Sequence, residues 1–291
     1  FYDFASLRKV ESFAFFPCKK PARKARPCLA WTFARKLTKV VFQNKIKSYI
    51  IYMRKVLLLD SGSGGVNIIK ECVKVCPYAD YLLFCDTKNL PYGSKSKEEL
   101  IDITFKNLDE IYKFFPYEIV IFACNTITST VIDEARVKYP DIIFIGTVPA
   151  IKPALLKFSP NEILLIATEA TINNNKLISK YRDSEIKFLP LNTLAPLIDE
   201  NLDNLDALHE FVKHNITGEF KALVLGCTHY QALEKVFKSC FKDVEIFDSA
   251  NGVARRLLSF IKKGEGYQVQ IMCNDFFLRD KFLWYFFNGE T

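Results

Sequence analysis

VLLLDSGSGGVNIIKECVKVC, residues 56–76, holds one repeat of the pattern that decides the fold. Four apolar residues form a short run and a glycine-rich loop follows. Val66, Ile69, Val73 and Cys76 then recur on one helical stripe. A strand that is apolar on every position is buried on both faces, as in a parallel sheet covered by helices. Working outward, the same run recurs as YLLF (81–84), IVIFA (119–123), IIFI (142–145), ILLIA (163–167), IKFL (186–189), ALVLG (222–226), VEIF (244–247) and VQIM (269–272). Helical segments are expected between them, over 97–114, 127–138, 172–181, 205–214, 231–239, 250–262 and 276–287. Repeated strand–helix units imply a doubly wound α/β architecture.

Nine strands are many for one sheet, so two α/β lobes with mostly parallel sheets are expected. The chain crosses over near TVPAIKP (147–153) and returns near 248. That puts 53–148, completed by 249–291, in one lobe and 149–248 in the other.

Charge is uneven. Residues 1–52 hold twelve Lys/Arg against two acids, Asp3 and Glu11, a net of +10; the other 239 residues hold 28 against 31, a net of −3. The body therefore gives no reason to expect nucleic acid or an anionic membrane as a partner. The basic stretch, with PCKKPARKARPC inside it and no sustained period, reads as a translated upstream region with the start at Met53. An organelle leader and a basic nucleic-acid arm are the other readings. It is expected to be poorly packed or non-native. Nine cysteines without CxxC pairs fit reduced thiols in a cytoplasm. No run of 18 apolar residues offers a spanning helix.

Two cysteines stand apart. Cys124, in VIFACNTITST (120–130), and Cys227, in LVLGCTHYQ (223–231), each follow a strand and precede a helix start. Cys72, Cys76, Cys85 and Cys240 read as small buried hydrophobes. Thr126 and Thr228 are placed to cap the helices that follow. A helix N-terminus favours thiolate. His229 is close enough to Cys227 to exchange a proton, and Asp60 is available to serve Cys124. Asp60 and Ser61 open DSGSGG, whose glycines let backbone amides approach an anion. Its G-x-G-G spacing fits neither the dinucleotide fingerprint nor the lysine-bearing phosphate loop. PYG, 91–93, is by itself an ordinary turn. From these residues alone three readings stay open: zinc held by the two thiols and His229, a redox pair, or two opposed acid–base groups on one substrate carbon.

DSGSGG, PYG, ACNT and GCTHY, in that order and spacing, resemble the cofactor-independent glutamate racemases of bacterial cell-wall synthesis. TVPAIKPA (147–154) and ILLIATEATI (163–172) resemble that family's connecting segments. The likeness covers roughly 54–262. It implies two pseudo-symmetric lobes with the site between them, and neither pyridoxal phosphate nor metal. The implied reaction interconverts L- and D-glutamate for peptidoglycan, in a cytoplasmic enzyme that is often a homodimer. Carried over, Cys124 takes the α-proton from the D enantiomer with help from Asp60. Cys227 takes it from the L enantiomer with help from His229 and Asp199. Asp60, Ser61, Tyr92, Gly93, Asn125, Thr126, Thr168, Thr171, Thr228 and His229 hold the substrate. The family more often has Glu where Asp199 stands and Pro where Gln231 stands, and INNNKLISKY (172–181) lacks its usual Ser and Tyr. Side-chain selectivity is the property these departures touch. The rival readings are an aspartate or other amino-acid racemase of the same superfamily and a non-catalytic phosphate- or nucleotide-binding module.

Overall fold

A computed structural model of the chain describes residues 54–201, 205–262, 264, 266–274, 280, 282 and 286. The basic stretch 1–52 falls outside them. So does the helix expected over 276–287, apart from Asp280, Phe282 and Phe286.

The first sheet is built from β1 (Arg54–Asp60), β2 (Ala79–Cys85), β3 (Ile119–Phe122), β4 (Ile143–Gly146) and β9 (Gln268–Cys273). Its helices are α1 (Gly65–Val75), α2 (Lys97–Tyr112), α3 (Asn125–Lys138) and α10 (Ala250–Leu258). The second sheet is built from β5 (Ile163–Ala167), β6 (Lys187–Pro190), β7 (Ala222–Leu225) and β8 (Glu245–Phe247). Around it lie α4 (Ile151–Leu155), α5 (Glu169–Asn174), α6 (Lys176–Ser179), α7 (Leu194–Glu200), α8 (Leu205–Asn215) and α9 (Glu234–Cys240).

The strand orders are β4-β3-β1-β2-β9 and β6-β5-β7-β8, and every pairing is parallel. Read from the other edge, the second order is β8-β7-β5-β6. It reproduces β4-β3-β1-β2 with β5 in the place of β1 and β7 in the place of β3. In each sheet the chain first adds a strand on one side of its starting strand and then crosses to the other. The reversal lies between β1 and β3 in one sheet and between β5 and β7 in the other. In open α/β sheets ligands bind in the crevice outside the carboxyl ends of the strands at such a reversal.

The apolar runs explain the layering. Leu57 and Leu59 of β1 point into one buried cluster with Val120, Phe122, Leu100 and Leu108, while Val56 and Leu58 point into another with Ile68, Ile69 and Val253. All four β1 side chains are fully buried, each worth roughly 2 kcal/mol of transfer free energy. The second sheet has the same two-faced core, with Leu164, Ile166 and Leu223 on one side and Ile163, Leu165 and Val224 on the other.

Three elements depart from the sequence reading, one of them helix α4, which falls where the chain was expected only to cross over. The single helix expected over 172–181 is two, because Asn175 ends α5 and its Oδ1 accepts from the Leu177 and Ile178 amides to start α6. Helix α7 was not expected at all. Pro196 sits in its first turn, where the missing N–H has no helical partner to lose. No helix among the described residues is long and apolar enough to cross a membrane.

Candidate active site

β3 and β7 are inner strands, and each ends one residue short of a cysteine's neighbour: Ala123 precedes Cys124 and Gly226 precedes Cys227. Cys124 is the N-cap of α3 with φ −130° and ψ 126°. Cys227 is the N-cap of the 3₁₀ turn Thr228–Leu233 with φ −139° and ψ 136°. Both thiols are free and buried. The two halves thus present a thiol at the same topological and conformational position.

Their surroundings differ. Burial pushes the Cys124 thiol well above its ordinary range, Asp60 and Cys227 push it further, and the Ile127 and Thr126 amides pull it partly back. Its neighbour Asp60 ends β1, fully buried. Burial pushes that carboxyl up to about 7, against the pull of His229 and the Ser61 amide. Asp60 Oδ1 accepts from the Ser61 amide at 2.8 Å, and Oδ2 accepts from the Thr228 hydroxyl at 3.4 Å.

Cys227 has an imidazole instead. Its sulfur lies 3.7 Å from His229 Nδ1, and His229 Nε2 lies 3.2 Å from Asp199 Oδ2 on α7. Burial pulls the imidazole's pKa down, but Asp199 and Cys227 outweigh it and leave it well above the ordinary value. The imidazole therefore holds its proton against a low-dielectric setting because two partners share it.

The glycines of DSGSGG are what let these groups meet. A methyl on Gly62 would lie 2.2 Å from Asp199 Oδ2 and 2.5 Å from His229 Nε2. One on Gly64 would lie 2.4 Å from Thr228 Oγ1. The loop after β1 thus lies against the Cys227 turn with no room for a Cβ.

The other expected residues fall into two groups. The Thr126, Thr168 and Thr171 hydroxyls form a buried triangle with oxygen separations of 3.1, 2.9 and 3.5 Å. Gly93 packs its backbone against Thr168, 3.0 Å from where a Cβ would stand. Asn125 donates to the Thr147 carbonyl at 3.2 Å, while its Oδ1 is buried with no protein partner. Ser61 is buried in the loop. Tyr92 is brought near the cleft, but its hydroxyl donates to Asp86 Oδ2 at 2.7 Å, inside the protein.

Asp86 and Ser63 were not singled out by the sequence reading. Asp86 is fully buried and accepts from Asn89, Tyr92, Asn107 and Asn274. Its signal was available: it follows β2 directly, as Asp60 ends the neighbouring β1. The Ser63 hydroxyl and amide both donate to Asp199 Oδ1.

This fold and site define a class: α/β proteins of two like-wound parallel sheets, each carrying a capping thiol at the end of an inner strand. Among curated proteins, the glutamate racemase of Clostridium acetobutylicum is 38% identical over 208 residues, 69% of this chain and 81% of that protein. The glutamate racemase of Clostridium novyi is 34% identical over 220 residues, 72% and 85%. Among solved structures, the glutamate racemase of Aquifex pyrophilus superposes with a TM-score of 0.64 at 27% identity, over 81% of this chain and 95% of that one. No family model matches the chain. The chain belongs to the glutamate racemase family, and so to the isomerases.

Proposed function

We propose that this protein interconverts L- and D-glutamate by proton transfer between two thiols on opposite faces of the substrate Cα. The observation that carries the reading is the matched pair of N-cap cysteines, each with a different buried proton partner. An amino-acid α-hydrogen is weakly acidic, and two opposed groups avoid carrying one base around the molecule.

From the L side, Cys227 takes the α-proton while the imidazole of His229, steadied by Asp199, holds the charge beside it. Cys124, kept protonated by burial, delivers a proton to the other face. From the D side the roles reverse, and Asp60, with its carboxyl near 7, exchanges the Cys124 proton. The amides at the start of α3 face the developing negative charge. The unpartnered Asn125 Oδ1 is a buried acceptor suited to the substrate ammonium, and the threonine triangle offers hydroxyls to its carboxylates. Ser61, Tyr92, Gly93 and Thr228 complete the walls.

The reading treats 53–148 with 249–291 and 149–248 as two lobes enclosing the substrate. Cysteines that are free among the described residues and the family resemblance support a cytoplasmic enzyme, and the resemblance a homodimeric one that supplies D-glutamate to peptidoglycan. The test is incubation with L-glutamate and, separately, L-aspartate, following loss of optical rotation. Rotation decays with glutamate if the reading is right. Decay with aspartate alone keeps the chemistry and changes the substrate.

A further inference from the structure

Ser63 is buried at 1% exposure in the loop after β1, and both of its donors go to a single oxygen on an element of the other sheet. The amide donates to Asp199 Oδ1 at 3.3 Å, and the hydroxyl donates to the same atom. The other oxygen of that carboxylate faces His229 Nε2 at 3.2 Å, and His229 Nδ1 faces the Cys227 sulfur at 3.7 Å. A carboxylate turns easily about its terminal torsion, which has broad minima. The two Ser63 donors on Oδ1 help hold that torsion and so aim Oδ2.

The geometry points to Ser63 as a positioning residue: its hydroxyl, reaching across from the first sheet's loop, aims Asp199 at His229 and thereby sets the protonation of the imidazole that serves Cys227. This rests on the two-thiol reading above and adds to it a control exerted by one sheet on the proton partner of the other sheet's thiol. The space for it is made by Gly62 and Gly64, which bring the loop in without a Cβ. Among the described residues, the charged and titratable groups facing His229 are Asp199 from α7, Asp60 from the end of β1 and Cys227 from its own turn. Of these three, Ser63 hydrogen-bonds to Asp199. Removing its hydroxyl leaves the amide contact, loosens the hold on that torsion and weakens the charge holding the imidazole proton.

The chain has three histidines, His209, His214 and His229, so imidazole signals can be followed one by one in the intact protein. Ser63→Ala, Ser63→Thr and wild type are titrated by NMR, and kcat and KM for L-glutamate are measured across pH. In Ser63→Ala the His229 midpoint falls by about one pH unit, as expected when an opposite charge at this range is displaced. The basic limb of kcat moves down with it, kcat drops about tenfold, and KM stays within about twofold. Ser63→Thr keeps the wild-type midpoint, and His209 and His214 serve as fixed references. Ser63→Cys, of similar volume and with a weak donor, takes the place of the alanine variant if that one does not fold. An unmoved His229 midpoint and an unmoved basic limb in the variant lacking the hydroxyl overturn the inference, whatever the loss of rate. If wild type racemises nothing, the two-thiol reading falls, whereas the His229 midpoint still reports separately on Ser63.

Discussion

The hydroxyl of Thr228 donates to Oδ2 of Asp60 across 168 residues of sequence, at 3.4 Å. The residue that follows one thiol therefore touches the acid proposed to serve the other. With the threonine triangle and the Ser63–Asp199 contact, this gives three polar ties between the loops of the two sheets. Each tie involves a side chain to which the proposed mechanism gives a substrate or a proton partner. On that mechanism the groups that tie the sheets together are also groups of the site, and the overlap can be tested.

Asp60 makes stability depend on pH. Its carboxyl is pushed from 3.8 to about 7 by burial, with His229 opposing. The unfolded chain loses this proton near 3.8, while the native protein keeps it to about 7. Across that window the native state binds more protons, so stability falls as pH rises. For an isolated group the full span is of order 4 kcal/mol. Asp60→Asn keeps the acceptor but cannot ionise. Melting temperatures across pH 4–8 should be flatter for the variant and higher than wild type at pH 8. Parallel curves would show that Asp60 does not titrate in this window.

Gly62→Ala should be severe. Its methyl would sit inside contact distance of both Asp199 Oδ2 and His229 Nε2. Either the loop backs away or the pair separates. Overpacking of this kind costs about 1–3 kcal/mol, and loss of an aligned acid–base partner costs about 10²-fold or more in rate. Thermal melting and kcat should both fall. Gly252→Ala, with open space around its position in helix α10, is the control: kcat should stay unchanged and melting should not fall, since alanine favours the helix.

Asp86 holds Tyr92 in place. Its two oxygens accept from four side chains, with donor distances between 2.7 and 3.0 Å. Asp86→Asn turns one of these oxygens into a donor facing donors, at a cost of about 1–3 kcal/mol. The melting temperature should fall and KM for glutamate should rise, because the PYG turn that backs onto Thr168 loosens. Tyr92→Phe should reproduce part of the KM effect. The double variant should then be less than additive, since both changes cut the same bond.

The residues at strand ends were legible in the sequence for a physical reason. A buried apolar run that stops at Asp60, Cys124 or Cys227 leaves a polar or nucleophilic group where a parallel sheet opens to its ligand crevice, and no periodic face claims it. The same reasoning reached His229 and Thr228, two neighbours of a thiol on one short turn. It did not reach Ser63, whose partner Asp199 is 136 residues away; in the sequence it is one small residue among glycines. Asp86 was hidden for a different reason. CDTKN has the composition of a surface loop, and only the folded chain shows Asn107 and Asn274 converging on it. Helix α7 went unread because LAPLIDE is seven residues long and carries a proline, too short for periodicity to outweigh the breaker. Residues 172–181 read as one helix although NNNK, 173–176, separates Ile172 from Leu177 and Ile178. Asn175, competing for backbone amides, interrupts it.

The measurement that bears most directly on the two-thiol chemistry uses wild type, Cys124→Ala and Cys227→Ala side by side. Each is incubated with L-glutamate in D₂O without added cofactor. The α-proton is followed by NMR and the enantiomer by optical rotation. Wild type should lose the α-proton signal as rotation decays to zero, and each single variant should lose at least about 10³-fold in the rate of rotation decay. Either variant racemising at a rate near that of wild type would contradict the assignment of one base to each face.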